Sequence, residues 1–426
     1  MLVYGTNSGE TLNASDDADE IWGYGGKDTI FAYGGDDNIE GGEGADYIHG
    51  GNGIDAARYD GSAAGVYVSL ATGTGIGGDA QGDRLVSIEN LVGSAFNDIL
   101  SGNGGINTLA GGRGNDQLKG FGGNDTLWGS EGDDHLMGGE GADTMRGGDD
   151  NDTYYVDNWA DVVIEDAGNG FDTIRTEIAF TLPNGLSIEV LRTIDDNGTA
   201  AIDLLGNTGN NQIIGNNGDN VINGGAGADQ MSGRGGNDTY TVDNVSDTVA
   251  ESGGAGNDVV RTSVSWTLTE GADVETLRTT DDNGTGLINL FGNSSGNEII
   301  GNNGDNMIGG GAGDDYLTGL GGVDHFLFNT ALDADNVDEI TDFSVTDDTI
   351  ILDNDVFTAF QGYGPLAAEA FRVGTAAQDA DDRIIYNSDT GALFYDSDGT
   401  GGAAAIQFAM LDTSLGLSHL DFYIHL

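Results

Sequence analysis

The stretch GYGGKDTIF-AYGGDDNIE-GGEGADYIH-GGNGIDAAR, residues Gly23–Arg58, decides the fold. It is written here in steps of nine. The sixth position of each step is Asp28, Asp37, Asp46 and Asp55, and the eighth is Ile30, Ile39, Ile48 and Ala57. The frame runs backwards through Asp19/Ile21 and Glu10/Leu12, where the glycines have eroded. Glycine loses more freedom on folding than any other residue, and clustered carboxylates repel. Such a sequence needs something else to hold it together.

The period recurs. A second array runs from Gly93 with sixth positions Asp98, Asn107, Asp116, Asp125, Asp134, Asp143 and Asp152. A third, from Gly206, has Asn211, Asn220, Asp229 and Asp238; a fourth, from Gly292, has Asn297, Asn306, Asp315 and Asp324. Asp152, Asp238 and Asp324 also mark a longer period of 86 residues. The matched spacers contain FDTIRTEIAFTL and NDVVRTSVSWTL, β-branched and aromatic runs that read as strands with Asn-Gly turns. Val66, Val68 and Leu70 alternate as in a strand. The expected division is arrays at 1–58, 93–155, 206–241 and 292–328, β-rich spacers at 59–92, 156–205 and 242–291, and a β-rich C-terminal domain at 329–426.

Composition narrows the function. Of 426 residues, 76 are glycine, and 13 basic against 72 acidic side chains give a net charge of −59. That excludes general affinity for nucleic acid or anionic membranes and points to cations. Regularly spaced large apolar residues argue against an acidic disordered tail. Cysteine is absent, so disulfides and thiolate metal sites are excluded. MLVYGTNSGETLN has no basic start and no apolar core, so a cleaved N-terminal signal is not expected. No run approaches the ~18 apolar residues of a membrane span.

Each nine-residue unit combines a glycine-rich turn with a three-residue strand carrying one large apolar side chain. A single unit cannot close a core, but stacked units can. Two units per coil of a parallel solenoid put turns on alternating sides. Residues 18 apart then stack at about 4.8 Å. Asp28 lies over Asp46, Asp37 over Asp55, and Asp116 over Asp134. Bare carboxylates at about 4 Å repel by about 4 kcal/mol at an effective dielectric of 20. A cation between them resolves the conflict. Carboxylates and carbonyls at irregular geometry suit calcium, with 6–8 oxygen ligands, better than magnesium, zinc or copper.

The pattern GGxGxDxUx, with U large and apolar, resembles the RTX (repeats-in-toxin) calcium-binding family. The resemblance implies an all-β fold of right-handed parallel β-roll arrays and several bound calcium ions. It implies sixth-position ligands Asp19, Asp28, Asp37, Asp46, Asp55, Asp98, Asp116, Asp125, Asp134, Asp143, Asp152, Asp229, Asp238, Asp315 and Asp324. It adds turn carbonyls such as those of Gly26, Gly35, Gly42, Gly44, Gly51, Gly53, Gly112, Gly114, Gly123, Gly132, Gly139, Gly141, Gly225, Gly227, Gly311 and Gly313. Asn107, Asn211, Asn220, Asn297 and Asn306 are expected to offer neutral oxygens and weaker sites. The ending HLDFYIHL, with Asp421, Phe422, Tyr423 and Ile424, resembles the uncleaved C-terminal signal of type I secretion. The partners implied are calcium, that export machinery and a cell-surface or glycan ligand.

Other motifs are weaker. GNSSG around Ser294 matches a hydrolase elbow but falls in phase with the fourth array. DSDGTG at 396–401 resembles the start of a calcium loop, and an acidic hairpin turn is the preferred reading. Arg192 and Arg278, in RTIDDNG and RTTDDNG, are glycan-binding candidates, with hairpin turns as the alternative. No H-E-x-x-H or Walker loop occurs, and no stretch of ~150 residues remains for a catalytic domain. The expectation is a secreted, non-enzymatic calcium-binding protein acting as an adhesin, matrix component or host-interaction protein. The alternative is the calcium-dependent module of an epimerase, protease or lipase of the same family.

Overall fold

The computed structural model describes residues 1–251 and 256–425. Among them there is no α-helix, only strands and three short 3-10 turns, Gly78–Ala80, Ala368–Ala370 and His419–Asp421. The chain forms two compact units, Met1–Asp196 with Ile202–Gln212, and Asn197–Ala201 with Ile213–Leu426.

In the first unit successive nonapeptide strands alternate between two parallel sheets. Leu2–Tyr4, Glu20–Trp22, Asn38–Glu40 and Ala56–Arg58 lie on one side. Thr11–Asn13, Thr29–Gly34 and Tyr47–Asn52 lie on the other. Thr11 faces Thr29, Thr29 faces Tyr47, and Glu20 faces Asn38, the 18-residue register expected of two units per coil. The second array continues it, with Leu109 opposite Leu127 and Leu118 opposite Leu136.

One side chain per strand builds the core. Ile30, Ile39, Ile48, Leu100, Leu109, Leu127, Leu136 and Met145 are fully buried, while their strand neighbours, apart from the small Ser101, are half-buried or exposed. Each such burial contributes about 1.5–3 kcal/mol. Leu127→Ala leaves a cavity between stacked neighbours and is expected to cost about 2–5 kcal/mol. The exposed Trp128 beside it should tolerate alanine within about 0.5 kcal/mol. Denaturant titration in saturating calcium distinguishes the two variants.

The spacers extend the same sheets. Tyr67–Ser69 pairs in parallel with Ile99–Ser101, Arg84–Val86 with Tyr47–His49, and an antiparallel excursion through Thr74–Ile76 joins them. Val66 and Val68 are buried there as the alternation predicts. Thr173–Thr176 sits between Thr153–Val156 and Val190–Thr193, all parallel. The RTIDDNG and RTTDDNG segments therefore turn corners of parallel coils and are not hairpins. Val190–Thr193 pairs with Thr173–Thr176, and Leu204–Leu205 pairs with Phe180–Thr181.

The second unit repeats the plan. Val221–Asn223, Thr239–Val242, Val259–Thr262, Thr276–Thr279, Glu298–Ile300 and Tyr316–Thr318 form one sheet. Trp266–Thr267, Leu290–Phe291, Met307–Gly309 and His325–Phe328 lie in the other. The nine-residue period ends near Asn329, yet Asp338–Ile340 and Thr349–Asp353 add further parallel strands. An antiparallel meander, Ile384–Asn387, Ala392–Tyr395 and Ile406–Met410, then joins Asp338–Ile340. Phe408 packs edge-on to Phe328 and Phe357, with ring centroids 5.2 Å apart in each case. Residues 396–401 form the hairpin connection, where Asp396 Oδ1 accepts the Gly399 N–H at 2.9 Å. Phe422–His425 pairs with Thr349–Asp353, burying Phe422 and Ile424. Asp421 accepts the Ser418 N–H at 2.6 Å.

Candidate metal centres

The sixth-position aspartates stand in two ladders, one on each side of the coils, because the turn preceding each strand alternates sides. Each rung has the same form. The Asp28 N–H donates to Asp46 Oδ1 at 2.7 Å, Asp37 to Asp55 at 2.9 Å, Asp116 to Asp134 at 2.7 Å, Asp125 to Asp143 at 2.7 Å and Asp134 to Asp152 at 2.9 Å. One oxygen of each carboxylate is thus fixed by the backbone 18 residues earlier.

The other oxygen has no protein partner. Oδ2 of Asp28, Asp37, Asp46, Asp55, Asp116, Asp125, Asp134, Asp143, Asp152, Asp238 and Asp315 is buried without a hydrogen bond. Among the described residues no lysine or arginine pairs with these carboxylates. An orphaned buried carboxylate oxygen carries a large desolvation cost. Apart from Asp37, whose unit opens with Ala32, each points at the glycine that opens its own turn. A Cβ on Gly111 would stand 2.1 Å from Asp116 Oδ2, and one on Gly138 2.2 Å from Asp143 Oδ2.

The turns nest against one another. All sixteen glycines nominated from sequence have positive φ, from 82° at Gly225 to 158° at Gly44. A Cβ on Gly44 would meet the Gly26 carbonyl oxygen at 1.6 Å, and one on Gly141 the Gly123 oxygen at 1.6 Å. Only glycine brings the carbonyls of one turn so near the next. Anionic oxygens and carbonyls in a cradle free of nitrogen and sulfur ligands fit a hard cation of calcium's kind. When bound, calcium supplies the positive charge and the oxygen coordination that these aspartates lack.

Two nominated residues differ. Asp19 Oδ2 accepts the Ser15 N–H at 2.7 Å and its hydroxyl at 2.9 Å, and Asp98 Oδ1 accepts the Val66 N–H at 2.7 Å and the Ser94 hydroxyl at 2.9 Å. Serine at the second position of these eroded units meets the carboxylate that a glycine turn leaves open. Asp229 donates its N–H to Asp247 at 3.0 Å, and Asp324 Oδ1 accepts from Asn306 at 2.8 Å.

The asparagines behave differently from the neutral ligands expected of them. Asn107 Oδ1 accepts the Asn103 N–H at 2.8 Å, and its Nδ2 donates to the Glu89 carbonyl at 2.7 Å. Asn211, Asn297 and Asn306 likewise donate to the carbonyls of Ile188, Val274 and Ile288 at 2.7–2.8 Å. An amide can donate where a carboxylate cannot, so these rungs are cross-linked by protein hydrogen bonds.

Several ladder members were missed in the sequence. Asp83, Glu89, Asp161, Asp172 and Glu189 take the N–H groups of Asp46, Asp55, Asp143, Asp152 and Asp172. In the second unit Asp247, Asp258, Glu275, Asp338 and Asp348 do the same for Asp229, Asp238, Asp258, Asp315 and Asp324. Each belongs to an acid-x-apolar triplet, such as Asp83-Arg84-Leu85 or Glu275-Thr276-Leu277. That triplet is the second half of the nonapeptide, and only Asp172 and Asp258 have the glycine turn before it.

Burial, and then neighbouring carboxylates, shift the metal-free acids upward. Asp116 is pushed up to about 8, Asp134 and Asp238 to about 7, and Asp37, Asp46 and Asp143 to about 6. Asp28, Asp55 and Asp125 are raised as well. A folded-state pKa above the unfolded value stabilises the fold at low pH and is lost as pH rises through the folded value. The chelated chain is therefore expected to hold more β structure near pH 5 than at pH 8, losing it through about 6–8, as circular dichroism would record. Added calcium should abolish that loss.

The other motifs acquire ordinary partners. Ser294 hydrogen-bonds Glu270 in a coil corner, and the cleft there is lined by Thr267, Asn293, Asn329 and Thr330 without a histidine. Arg192 binds Asp196 at 2.6 Å and Arg278 binds Asp282 at 2.5 Å.

Fold and site define a class: a parallel β-roll whose glycine turns gather carboxylate and carbonyl oxygens for hard cations. The RTX calcium-binding nonapeptide repeat, in its four-copy form, matches residues 4–39, 26–56, 87–118, 119–154, 205–240 and 291–326, so the chain carries several arrays of that family's repeats. Its repeats bind multiple calcium ions, and proteins carrying them are typically secreted. No curated protein matches the chain. No helix among the described residues is long and apolar enough to cross a membrane.

Proposed function

We propose that this chain is a non-enzymatic calcium-binding protein that folds only after leaving the cell and then presents its rolls as an adhesive, matrix or host-contact surface. The observation that carries the reading is the row of buried, unpartnered Asp Oδ2 atoms along both units. Where calcium is scarce these carboxylates oppose folding and the chain stays extended for export. At about millimolar calcium, the range suited to extracellular modules, the ions stabilise the rolls by mass action. Type I secretion through the C-terminal segment is the route that agrees with this order of events. Arg192 and Arg278, engaged by aspartates, are poorer glycan ligands than the sequence alone suggests.

Export and folding are separable by experiment. Deleting residues 421–426 removes the last strand as well as the proposed signal, so Ile350→Ala, which weakens the same strand pair, is the control. The deletion is expected to leave the protein in the cells and Ile350→Ala to be exported. Equal export of the deletion would overturn the route. Binding of the exported protein to glycans or cell surfaces, compared with and without chelator, tests the role. Hydrolase, epimerase or protease turnover by the purified chain would overturn the non-enzymatic reading.

A further inference from the structure

At residue 152 the regular ladder is interrupted. The next rung comes 20 residues later, at Asp172, which accepts the Asp152 N–H at 2.8 Å. The two extra residues accommodate a loop that carries Glu165 inward. Asp152, Glu165 and Asp172 are all buried, and each offers an oxygen within 4.8 Å of the others. Asp152 is 1 % exposed and its Oδ2 is unpartnered. Tyr154, in place of the usual aliphatic residue, accepts the Gly147 N–H at 2.6 Å and donates its hydroxyl proton to Glu165 Oε2. A Cβ built on Gly147 would stand 1.9 Å from Asp152 Oδ2 and 2.4 Å from the Tyr154 hydroxyl, so carboxylate, phenol and glutamate converge on one turn.

The hydrogen-bond pattern recurs in the second unit, while the approach of all three carboxylates within 4.8 Å is found in the first trio. In the second unit Asp258 accepts the Asp238 N–H at 2.7 Å, and Tyr240 takes the Gly233 N–H at 2.6 Å and donates to Glu251. Asp238 Oδ2 is again buried and unpartnered. Glu165 and Glu251 each follow their aspartate by the same interval and precede the next by the same interval. The third copy is a natural contrast. There Phe326 replaces the tyrosine and packs against Phe343, and the strand register places the shorter Asp342 where Glu165 and Glu251 stand, its two oxygens taken by the N–H groups of Gly319 and Leu320 at 3.0 and 2.8 Å. The tyrosine hydroxyl and the longer acidic side chain occur together in the first two copies, and the third replaces both.

We propose that Asp152, Glu165 and Asp172 hold one calcium ion, and Asp238, Glu251 and Asp258 a second, with the glutamate as a third carboxylate that no sixth position of the nonapeptide supplies. This rests on the calcium reading of the arrays and adds a ligand type they lack. An ordinary rung gathers two carboxylates, whereas these gather three. Calcium affinity in oxygen cages rises with ligand charge. These two sites therefore fill first, each pinning a spacer coil to the array before it.

The full chain crystallised with terbium as a calcium substitute tests the site by anomalous scattering. Peaks are expected about 2.3–2.6 Å from carboxylate oxygens of both trios as well as along the arrays. Peaks between Asp116 and Asp134 with none beside Glu165 or Glu251 would overturn the proposal, leaving a tyrosine–glutamate hydrogen bond alone, while the array reading stands. No peaks in the arrays would overturn the reading beneath it. In solution, Glu165→Gln with Glu251→Gln should remove the two ions that load at lowest calcium, weakening them about tenfold or more. An unchanged calcium titration in the folded variant would count against the sites.

Discussion

Stripped of calcium at neutral pH, the full chain is expected to lose most of its β-sheet circular dichroism and to regain it cooperatively near millimolar calcium. The magnitude follows from the ladders. Stacked carboxylates at about 4 Å oppose each other by about 4 kcal/mol at an effective dielectric of 20. The net stability of a domain is only about 5–15 kcal/mol. Two or three uncompensated rungs are therefore enough to cancel a net stability of that size, and the second array alone has Asp116 with Asp134, Asp125 with Asp143, and Asp134 with Asp152. Protonation relieves the repulsion in acid, so the test belongs near pH 8. A chelated chain with an unchanged spectrum at that pH would contradict the account. Magnesium at the same concentration should restore much less, because it demands a tighter octahedron and keeps its waters.

A second large effect is expected from adding one methyl group. Gly141→Ala places a Cβ 1.6 Å from the Gly123 carbonyl oxygen at a φ of 151°. Neither atom is the end of a flexible side chain, so the two turns must separate and the carbonyls with them. The expected result is loss of folding in that array at calcium concentrations that saturate the parent. Gly104→Ala is the matched control, since nothing lies within 4 Å of the added atom. Its effect should stay within about 0.5 kcal/mol. Calcium titrations of the two variants followed by circular dichroism measure the difference. Equal midpoints would mean that the nested carbonyls are dispensable.

Much of this was legible because the repeat writes geometry directly into spacing. Ile30 above Ile48 and Asp28 beside Asp46 follow from the period and two units per coil. What escaped lies where only half of the unit survives. Asp83, Glu89 and Glu189 keep the acid and the apolar residue but not the glycines, so they read as ordinary spacer. AGNGFDTIR at 167–175 and GGAGNDVVR at 253–261 do keep the pattern, but they sit two residues out of frame with the arrays before them. The segments beyond Asn329 carry no period, yet a solenoid end offers unpaired backbone that any β-prone strand can take. The asparagine rungs illustrate a different limit. Asn107 and Asn306 look like weakened aspartates in a pattern, and only contact with the Glu89 and Ile288 carbonyls shows them acting as donors.

The direction of the rung hydrogen bonds has a consequence for how the protein can be divided. Every carboxylate reaches back to the coil before it, so a coil is finished only by its successor. An array cut at its last repeat would end on an N–H group with no acceptor, as Asp152 would without Asp172, or Asp324 without Asp348. The irregular segments thus act as closing clauses, and the smallest portable piece of this protein is an array together with the stretch that follows it.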